Sequence, residues 1–378
     1  MPFDKKLYRE YEIKLNKLTL NDLRSAQVVD SMFSQLLSLL PNDGKLYKYK
    51  ALDTFRIDEL QEKYIWFSSA KNLNDNKDCT FNENSQLEFE KIVKILMRAD
   101  NYRKLLAMSL RNKLRVNVNQ LSLDEVETFL NAIVQKRGCL AETYFQHFCN
   151  KHHLKNADRQ SVIDAITLYS ENPDEKTIRK RISNYFDSFV EIRNSMMVCS
   201  LTTSYQKDSM WAYYCNNKGI CLEYDFSRID TLEAKKLFMQ TQKVRYGHKK
   251  KFSTVRLLQE HLEGTEESIC RADSMVFDQL LTKDKSWSME DEWRAIVSFR
   301  ENIVGKKAFV DMVSAIYIDY SVLTKRKTKQ IIQLAKENSW GVYVRYFDPI
   351  RASYIYDTIP NIKRIKKQAD QLKVKTSH

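Results

Sequence analysis

The chain has 378 residues, of which 43% are hydrophobic and 11% aromatic, so it can bury a core and is too apolar to be disordered. Its 62 lysines and arginines outnumber 49 acidic residues, which gives a formal net charge of +13. The seven glycines form neither a G-x-G-x-x-G nor a G-x-x-x-x-G-K-[ST] motif, which argues against a Rossmann nucleotide site or a P-loop.

The seven cysteines are widely spaced, and none belongs to a C-x-x-C motif. This spacing indicates neither a disulfide framework nor a structural zinc site, so we expect no metal. The sequence shows no signal peptide and no apolar run near the ~18 residues that a membrane-spanning helix needs. We therefore expect a cytoplasmic protein with reduced thiols and without a membrane partner.

Basic residues are clustered at 248–251, 325–329 and 363–367. Such clusters can bind a polyanion such as nucleic acid, but lysine-rich faces can also be simply solvated. The clusters are separated in sequence, and both interpretations stay open at this point.

The first half of the chain predicts an N-terminal helical segment over 1–44, with a helix at 19–40 for which Asn21 is the expected N-cap. An alternating strand at 46–50, a short helix at 57–62 and a strand at 64–68 begin an α+β core over 45–84. Apolar residues at helical spacing then predict a large helical insertion over 85–195.

The second half returns to strands and completes the core over 196–360. Strands are predicted at 196–200, 220–224, 243–246, 293–298, 314–319 and 342–347, and helices near 208–214, 252–282 and 322–338. A basic C-terminal tail follows at 361–378. Short strands at both ends of the chain, with a helical block between them, predict the α+β class.

Two acids in the segment 287–294 have the most compact reactive arrangement in the chain. Glu290 and Glu292 lie between Trp287 and Trp293, directly before an apolar run. On a strand, residues two apart share a face, so the acids would point to one side and Trp293 to the other. The pattern predicts an acid/base or cation-binding pair, although Glu292 could instead form a surface ion pair with Arg294.

Four segments in order resemble a bacterial domain-of-unknown-function family, number twenty-nine seventy-one. Its members show a Tyr-Lys-Tyr-Arg strand, an Asn-Asp-Pro-Phe-Asp loop, a Met-Trp-x-His-Tyr helix, a Lys-Gly-Ile-Cys strand and a Glu-x-Glu-Trp-Arg segment. The matching segments here lie at 46–50, 65–75, 210–222 and 287–294, so that the resemblance covers roughly 45–80 and 195–300. The chain departs from the family at Lys50 in place of Arg, at Asn76-Lys77 in place of Pro-Phe, and at Tyr213 in place of His.

The layout is also similar to the ADP-ribosyltransferase fold, which includes DNA- and RNA-modifying toxins and has a split mixed or antiparallel sheet. That fold carries a basic residue or His on its first strand, a Ser or Tyr on a middle element and a Glu on a late strand. The resemblance implies Lys48 or Lys50 for the first position, Ser68 or Tyr214 for the second and Glu292 for the third. Glu290 would complete a Glu-x-Glu pair.

This second resemblance implies NAD as the substrate, bound without a glycine-rich loop. The nicotinamide would stack on Trp211 or Tyr214, and a lysine would contact the pyrophosphate. Glu292 would stabilise an oxocarbenium-like transition state, and Glu290 would position or deprotonate the acceptor. The full set of predicted cofactor-binding residues is Tyr47, Lys48, Lys50, Ser68, Asn74, Trp211 and Tyr214. Trp211 and Tyr214 could instead be core aromatics, and Asn74 could form an Asx-turn.

The resemblance implies a toxin or anti-phage defence effector that transfers ADP-ribose from NAD to a macromolecule such as RNA or DNA. An antitoxin protein would be a further partner. The alternatives are an NAD glycohydrolase, with water as acceptor, and a non-catalytic module that binds nucleic acid or protein.

Overall fold

The computed structural model describes residues 4–15, 17–18, 22–73, 75, 78–79, 85–114, 121–136, 138–171, 174–182, 196–248, 252–298 and 305–376. The chain forms two compact units. The first comprises Met1–Thr80, Glu191–Lys249 and Asp278–His378, and the second comprises Phe81–Val190 and Lys250–Phe277. Mixed strands and many helices confirm the predicted α+β class.

The strands all belong to the first unit. They are β1 (Lys45–Lys50), β2 (Tyr64–Ser69), β3 (Met196–Thr202), β4 (Ile220–Asp225), β5 (Thr241–Lys243), β6 (Arg245–Tyr246), β7 (Thr282–Lys283), β8 (Glu292–Ser298), β9 (Gly305–Phe309), β10 (Val313–Asp319), β11 (Gly341–Asp348) and β12 (Ser353–Asp357).

Helices occur in both units. They are α1 (Lys5–Leu15), α2 (Ala26–Leu39), α3 (Thr54–Gln61), α4 (Ser85–Leu96), α5 (Ala99–Leu114), α6 (Leu123–Val134), α7 (Cys139–Lys151), α8 (Asn156–Ser170), α9 (175–182), α10 (Asp208–Cys215), α11 (Leu232–Phe238), α12 (Thr254–Glu263), α13 (Glu266–Leu280), α14 (Arg326–Glu337) and α15 (Ile359–Thr376). None of these helices, as far as the structure describes them, is long and apolar enough to cross a membrane.

The first unit is built on one ten-stranded, mostly antiparallel sheet with the strand order β12-β11-β10-β4-β1-β3-β2-β9. Strand β8 pairs with the second edge of β3 and carries β5 on its far side. The pair β10–β11 is parallel and is connected by α14, because parallel neighbours need a crossover. Strands β6 and β7 form a separate two-stranded ladder.

The sheet is split between β1 and β2. Both strands meet the same edge of β3, β1 at the Tyr47–Thr202 pair and β2 at the Ser68–Val198 and Ser69–Met197 pairs. Between these contacts, the ladder of described residues pairs β3 with neither strand. The sheet therefore has a gap between these two contacts.

The main core of the first unit packs helices against one face of this sheet. Apolar side chains of α2, among them Phe33 and Leu36, belong to the same buried cluster as strand residues that include Trp293 and Ile316. Ser25 caps α2 by accepting a hydrogen bond from the Val28 amide, whereas the predicted cap Asn21 lies outside the described residues. Trp293 is buried in this core.

The second unit is helical and has its own hydrophobic core. Phe129 and Phe148 stack at its centre with ring centroids 3.9 Å apart, and Ile92, Leu130 and Val162 are fully buried around them. The unit includes α12 and most of α13, which the sequence placed with the second part of the core.

One glycine offers a test of the fold at β4. A side-chain carbon at Gly219 would lie 2.3 Å from the Lys50 carbonyl oxygen and 2.8 Å from Cys215 Cβ. We therefore expect Gly219→Ala to destabilise the protein by about 1–3 kcal/mol, since overpacking against main chain forces a backbone shift. The free energy of unfolding in urea measures this. Gly247→Ala, with open space around the added carbon, is the matched control and should change stability by much less.

Candidate active site

A cavity of about 200 Å³ lies at the split of the sheet. Residues from β1, β2 and the segment after it, β3, α10, β7, the segment before β8 and the first residue of β8 line it. Six of these residues were predicted as site residues from the sequence. The six are Tyr47, Lys48, Ser68, Tyr214, Glu290 and Glu292. The split thus brings together residues that lie up to 245 positions apart in the chain.

The two acids reach the cavity by a different local structure from the one predicted. Glu290 ends a 3-10 helix (Lys285–Glu290), Asp291 adopts a left-handed conformation with φ 44°, and Glu292 begins β8. Glu290 is therefore not on a strand, and the prediction that it shares a strand face with Glu292 is wrong. The Asp291 carboxylate accepts a hydrogen bond from Thr203 and forms an ion pair of 3.0 Å with Lys243, which fixes the turn between the acids.

Lys283 connects the acids. Its Nζ lies 2.5 Å from Glu290 Oε2, 3.3 Å from Glu292 Oε2 and 3.5 Å from Asp78 Oδ2. It also lies 4.8 Å from the centroid of the Trp287 ring, at cation–π distance. Sequence reasoning missed Lys283 and Asp78, and no spacing rule would have found either, because the fold brings them to the acids.

Arg294 is fully buried and holds Glu292 from the other side. Its Nε lies 2.7 Å from Glu292 Oε1, its Nη1 lies 3.0 Å from Asp78 Oδ1, and it also donates to the Leu280 carbonyl oxygen at 2.6 Å. The Glu292–Arg294 pair considered from the sequence therefore exists. It is an interior pair, not a surface one, since both side chains are less than 5% exposed.

The two acids differ in protonation behaviour. Burial alone would raise the pKa of Glu292, but the charges of Arg294 and Lys283 lower it to about 2. Burial and the neighbouring Glu292 charge raise the pKa of Glu290, with Lys283 opposing them. Glu292 is thus a fixed anion at neutral pH, and Glu290 is the member of the pair better suited to exchange a proton.

Tyr214 and two further side chains hold Glu290. The Tyr214 hydroxyl donates to Glu290 Oε1, and burial together with the Glu290 charge raises the pKa of Tyr214, so that it stays a donor. Lys207 Nζ donates to the Glu290 carbonyl oxygen at 2.9 Å, and the Thr202 hydroxyl donates to the same oxygen. Glu290 is therefore fixed at both its carboxylate and its main chain.

Two predicted site residues, Lys50 and Trp211, do not line the cavity. Lys50 is buried in an ion pair with Glu59, and burial lowers its pKa to about 8 against the opposing Glu59 charge. Trp211 is fully buried and donates from Nε1 to the Tyr205 carbonyl oxygen at 2.8 Å. Asn74 lies outside the described residues. Of the alternatives drawn from the sequence, the structure places Lys48 and Tyr214 at the cavity and excludes Lys50 and Trp211 from its lining.

The lowered pKa of Glu292 gives a pH-dependent stability. Because its pKa falls from 4.5 to about 2 on folding, the ionised carboxylate stabilises the protein above pH 4.5, and this contribution is lost as the pH falls through about 2. We expect the difference in free energy of unfolding between wild type and Glu292→Gln to shrink on acidification. Denaturant titrations at several acidic pH values measure it, and a difference that stays constant would contradict the assignment.

The geometry defines a class of site: a buried, ionised glutamate and a second acid at the split of a mixed sheet, with a lysine and tyrosines around them. In the part of the chain that is described, no group of three or more His, Cys, Asp or Glu side chains could hold a metal ion.

Residues 210–295 match the model of the family described as "Protein of unknown function (DUF2971)", which confirms the predicted resemblance to that family over this part of the chain. The match includes most of α10, together with β4, β7 and both acids, whereas β1 and β2 lie outside it. No curated protein and no solved structure matches the chain.

Proposed function

We propose that the cavity binds NAD and that the protein transfers ADP-ribose from it to a macromolecule, with RNA or DNA as the favoured acceptor. The observation that carries the proposal is the split of the sheet, around which a first-strand lysine, Ser68 and a late-strand glutamate share one cavity. This arrangement supports an ADP-ribosyltransferase-like fold, an argument that rests partly on analogy.

Lys48 is the proposed contact to the NAD pyrophosphate. It lines the cavity from β1 and makes no ion pair with any described residue, and its Nζ lies 3.3 Å from Cys199 Sγ. An ammonium group that forms no ion pair within the described part of the chain is available for a charge-assisted hydrogen bond to a phosphate oxygen.

Glu292 is the proposed catalytic carboxylate. When the bond between nicotinamide and ribose breaks, nicotinamide leaves with the electron pair and positive charge develops on the ribose. A carboxylate that is already ionised and held in place stabilises that charge without reorganisation. Arg294 and Lys283 serve as positioning residues that keep Glu292 ionised and aligned.

The size of the cavity limits how NAD would bind. Ligand pockets commonly measure about 300–1,000 Å³, and this one measures about 200 Å³. It would enclose the nicotinamide and its ribose, with Tyr214 as the stacking surface, and leave the adenosine half outside. The nicotinamide end is the part that reacts, so enclosure of that end is sufficient for the chemistry.

The proposal is tested with two labels on NAD and a cell lysate as acceptor source. A transferase releases labelled nicotinamide and leaves an adenylate label on a macromolecule, whereas an NAD glycohydrolase releases nicotinamide and leaves free ADP-ribose. If no nicotinamide is released, both enzymatic functions fail. In that case salt-sensitive nucleic-acid binding without NAD turnover would favour the non-catalytic module.

A toxin or anti-phage role belongs to the same proposal. If ADP-ribose transfer to a cellular macromolecule is the activity, expression of the wild-type chain should arrest bacterial growth and Glu292→Gln should not. Growth curves after induction measure this. Equal growth arrest by both proteins would show that toxicity does not depend on the chemistry proposed for Glu292.

A further inference from the structure

Tyr213 is an exposed aromatic residue that contacts two residues of the cavity lining. It is 52% exposed, and its ring centroid lies 5.2 Å from that of Trp287, at 83°, and 5.2 Å from that of Tyr214, at 66°. Trp287 and Tyr214 both line the cavity, so Tyr213 extends the aromatic surface from the cavity wall to solvent. We call Tyr213 and Trp287 the aromatic rim.

Neither residue of the aromatic rim belongs to the hydrophobic core clusters formed by the described residues. Trp211, on the same helix α10, already supplies the buried aromatic contact with Tyr49, at a centroid distance of 5.3 Å. An exposed tyrosine held in edge contact with a tryptophan at a cavity mouth suits stacking of a flat ligand, and every nucleobase has a π-face for such stacking.

The charges beside the aromatic rim disfavour a cationic acceptor. The Lys283 ammonium already forms ion pairs with both Glu290 and Glu292. The Lys207 ammonium donates a hydrogen bond to the Glu290 carbonyl oxygen. A guanidinium or ammonium acceptor would therefore approach acids that are already paired and would be repelled by the ammonium groups of Lys283 and Lys207. A neutral base carried on a phosphate backbone meets no such repulsion, and the net charge of +13 favours a polyanion.

We propose that the acceptor is a nucleobase of a single-stranded nucleic acid, stacked on the aromatic rim, and that Glu290 receives the proton from the reacting base nitrogen. The inference rests on the proposed function. As the bond from ribose C1′ to nicotinamide breaks, a bond from C1′ to the base nitrogen forms. The nitrogen's proton passes to Glu290, and nicotinamide keeps the electron pair of the broken bond. A single strand is required because a base in a duplex cannot reach a partly enclosed site without unstacking.

The experiment uses the full-length protein with adenylate-labelled NAD and mixed-sequence single-stranded RNA and DNA oligonucleotides. The measured quantity is labelled oligonucleotide per nicotinamide released. We expect wild type to label an oligonucleotide and Tyr213→Ala to lower the ratio about tenfold or more, because the stacking surface is lost. Tyr213→Trp keeps an aromatic ring and should restore most of the ratio.

Phe347→Ala is the matched control, because Phe347 is a similarly exposed aromatic, 48%, on β11. It should leave the ratio unchanged. The inference is overturned if Tyr213→Ala matches wild type, or if the label goes to protein or to free ADP-ribose while nicotinamide is still released. Label on protein or in free ADP-ribose would still be evidence that the protein cleaves NAD. Absence of nicotinamide release would overturn the proposed function and this inference together.

Discussion

Replacing Glu292 with glutamine should lower the rate of nicotinamide release from NAD by about 10²- to 10³-fold, the loss typical when one preorganised electrostatic contact to a transition state is removed. Glutamine has nearly the same shape but no charge, so the cavity keeps its volume and loses the anion that would stabilise the ribose cation. The rate constant at saturating NAD, measured by chromatography of free nicotinamide, tests the expectation.

The matched control is Glu233→Gln, which removes a carboxylate that is 83% exposed and lies on α11, away from the cavity lining. It should leave the rate unchanged. Both variants should first be shown to unfold cooperatively, because Glu292 is buried. If Glu292→Gln is folded and releases nicotinamide as fast as wild type, Glu292 is a structural residue and not a catalytic one.

Replacing Arg294 with methionine should destabilise the protein by about 3–5 kcal/mol, because removal of one partner leaves buried charge uncompensated. Arg294 is 0% exposed, and it contacts Glu292 and Asp78, both buried, as well as the Leu280 carbonyl oxygen. The free energy of unfolding in urea at neutral pH measures the effect.

Two further variants test whether this loss of stability comes from the buried charge network. Arg326→Met removes an exposed guanidinium at the start of α14, and should change stability by less than about 0.5 kcal/mol. Arg294→Lys should recover only part of the loss, since an ammonium cannot reproduce the planar set of contacts made by guanidinium. Equal stability of Arg294→Met and Arg326→Met would contradict the picture of a buried charge network.

Local pattern predicted much of the first unit. The alternating run around Tyr47 and Tyr49 predicted β1, and the apolar run after Trp293 predicted β8 and its buried face. These elements were recoverable because strand period and burial are properties of a few neighbouring residues. Tyr47 and Tyr49 both belong to the buried cluster that contains Trp211.

Glu290 shows where local pattern fails. Its two-residue spacing from Glu292 suggested a shared strand face. Glu290 is instead the last residue of a 3-10 helix, and the left-handed Asp291 separates it from Glu292. Nothing in the letters Glu-Asp-Glu distinguishes these geometries, and the convergence of the acids depends on Lys283 and Tyr214, which other segments supply.

The choice between Lys48 and Lys50 was also beyond the sequence. Both lysines lie on the same strand face by alternation, so spacing treats them as equivalent. The difference comes from α3, where Glu59 pairs with Lys50 and Arg56 adds a second contact of 2.9 Å to that carboxylate. Lys48 lies beside the gap in the sheet instead. Tertiary packing alone decides which cation faces the cavity.

The proposed cleavage of NAD is tested by the amount of free nicotinamide formed when the purified wild-type chain is incubated with NAD and a single-stranded nucleic acid. We expect nicotinamide to accumulate with time and enzyme concentration, and Lys48→Ala to raise the KM for NAD. No nicotinamide above the no-enzyme blank, together with no detectable binding of NAD by calorimetry, would contradict the proposal.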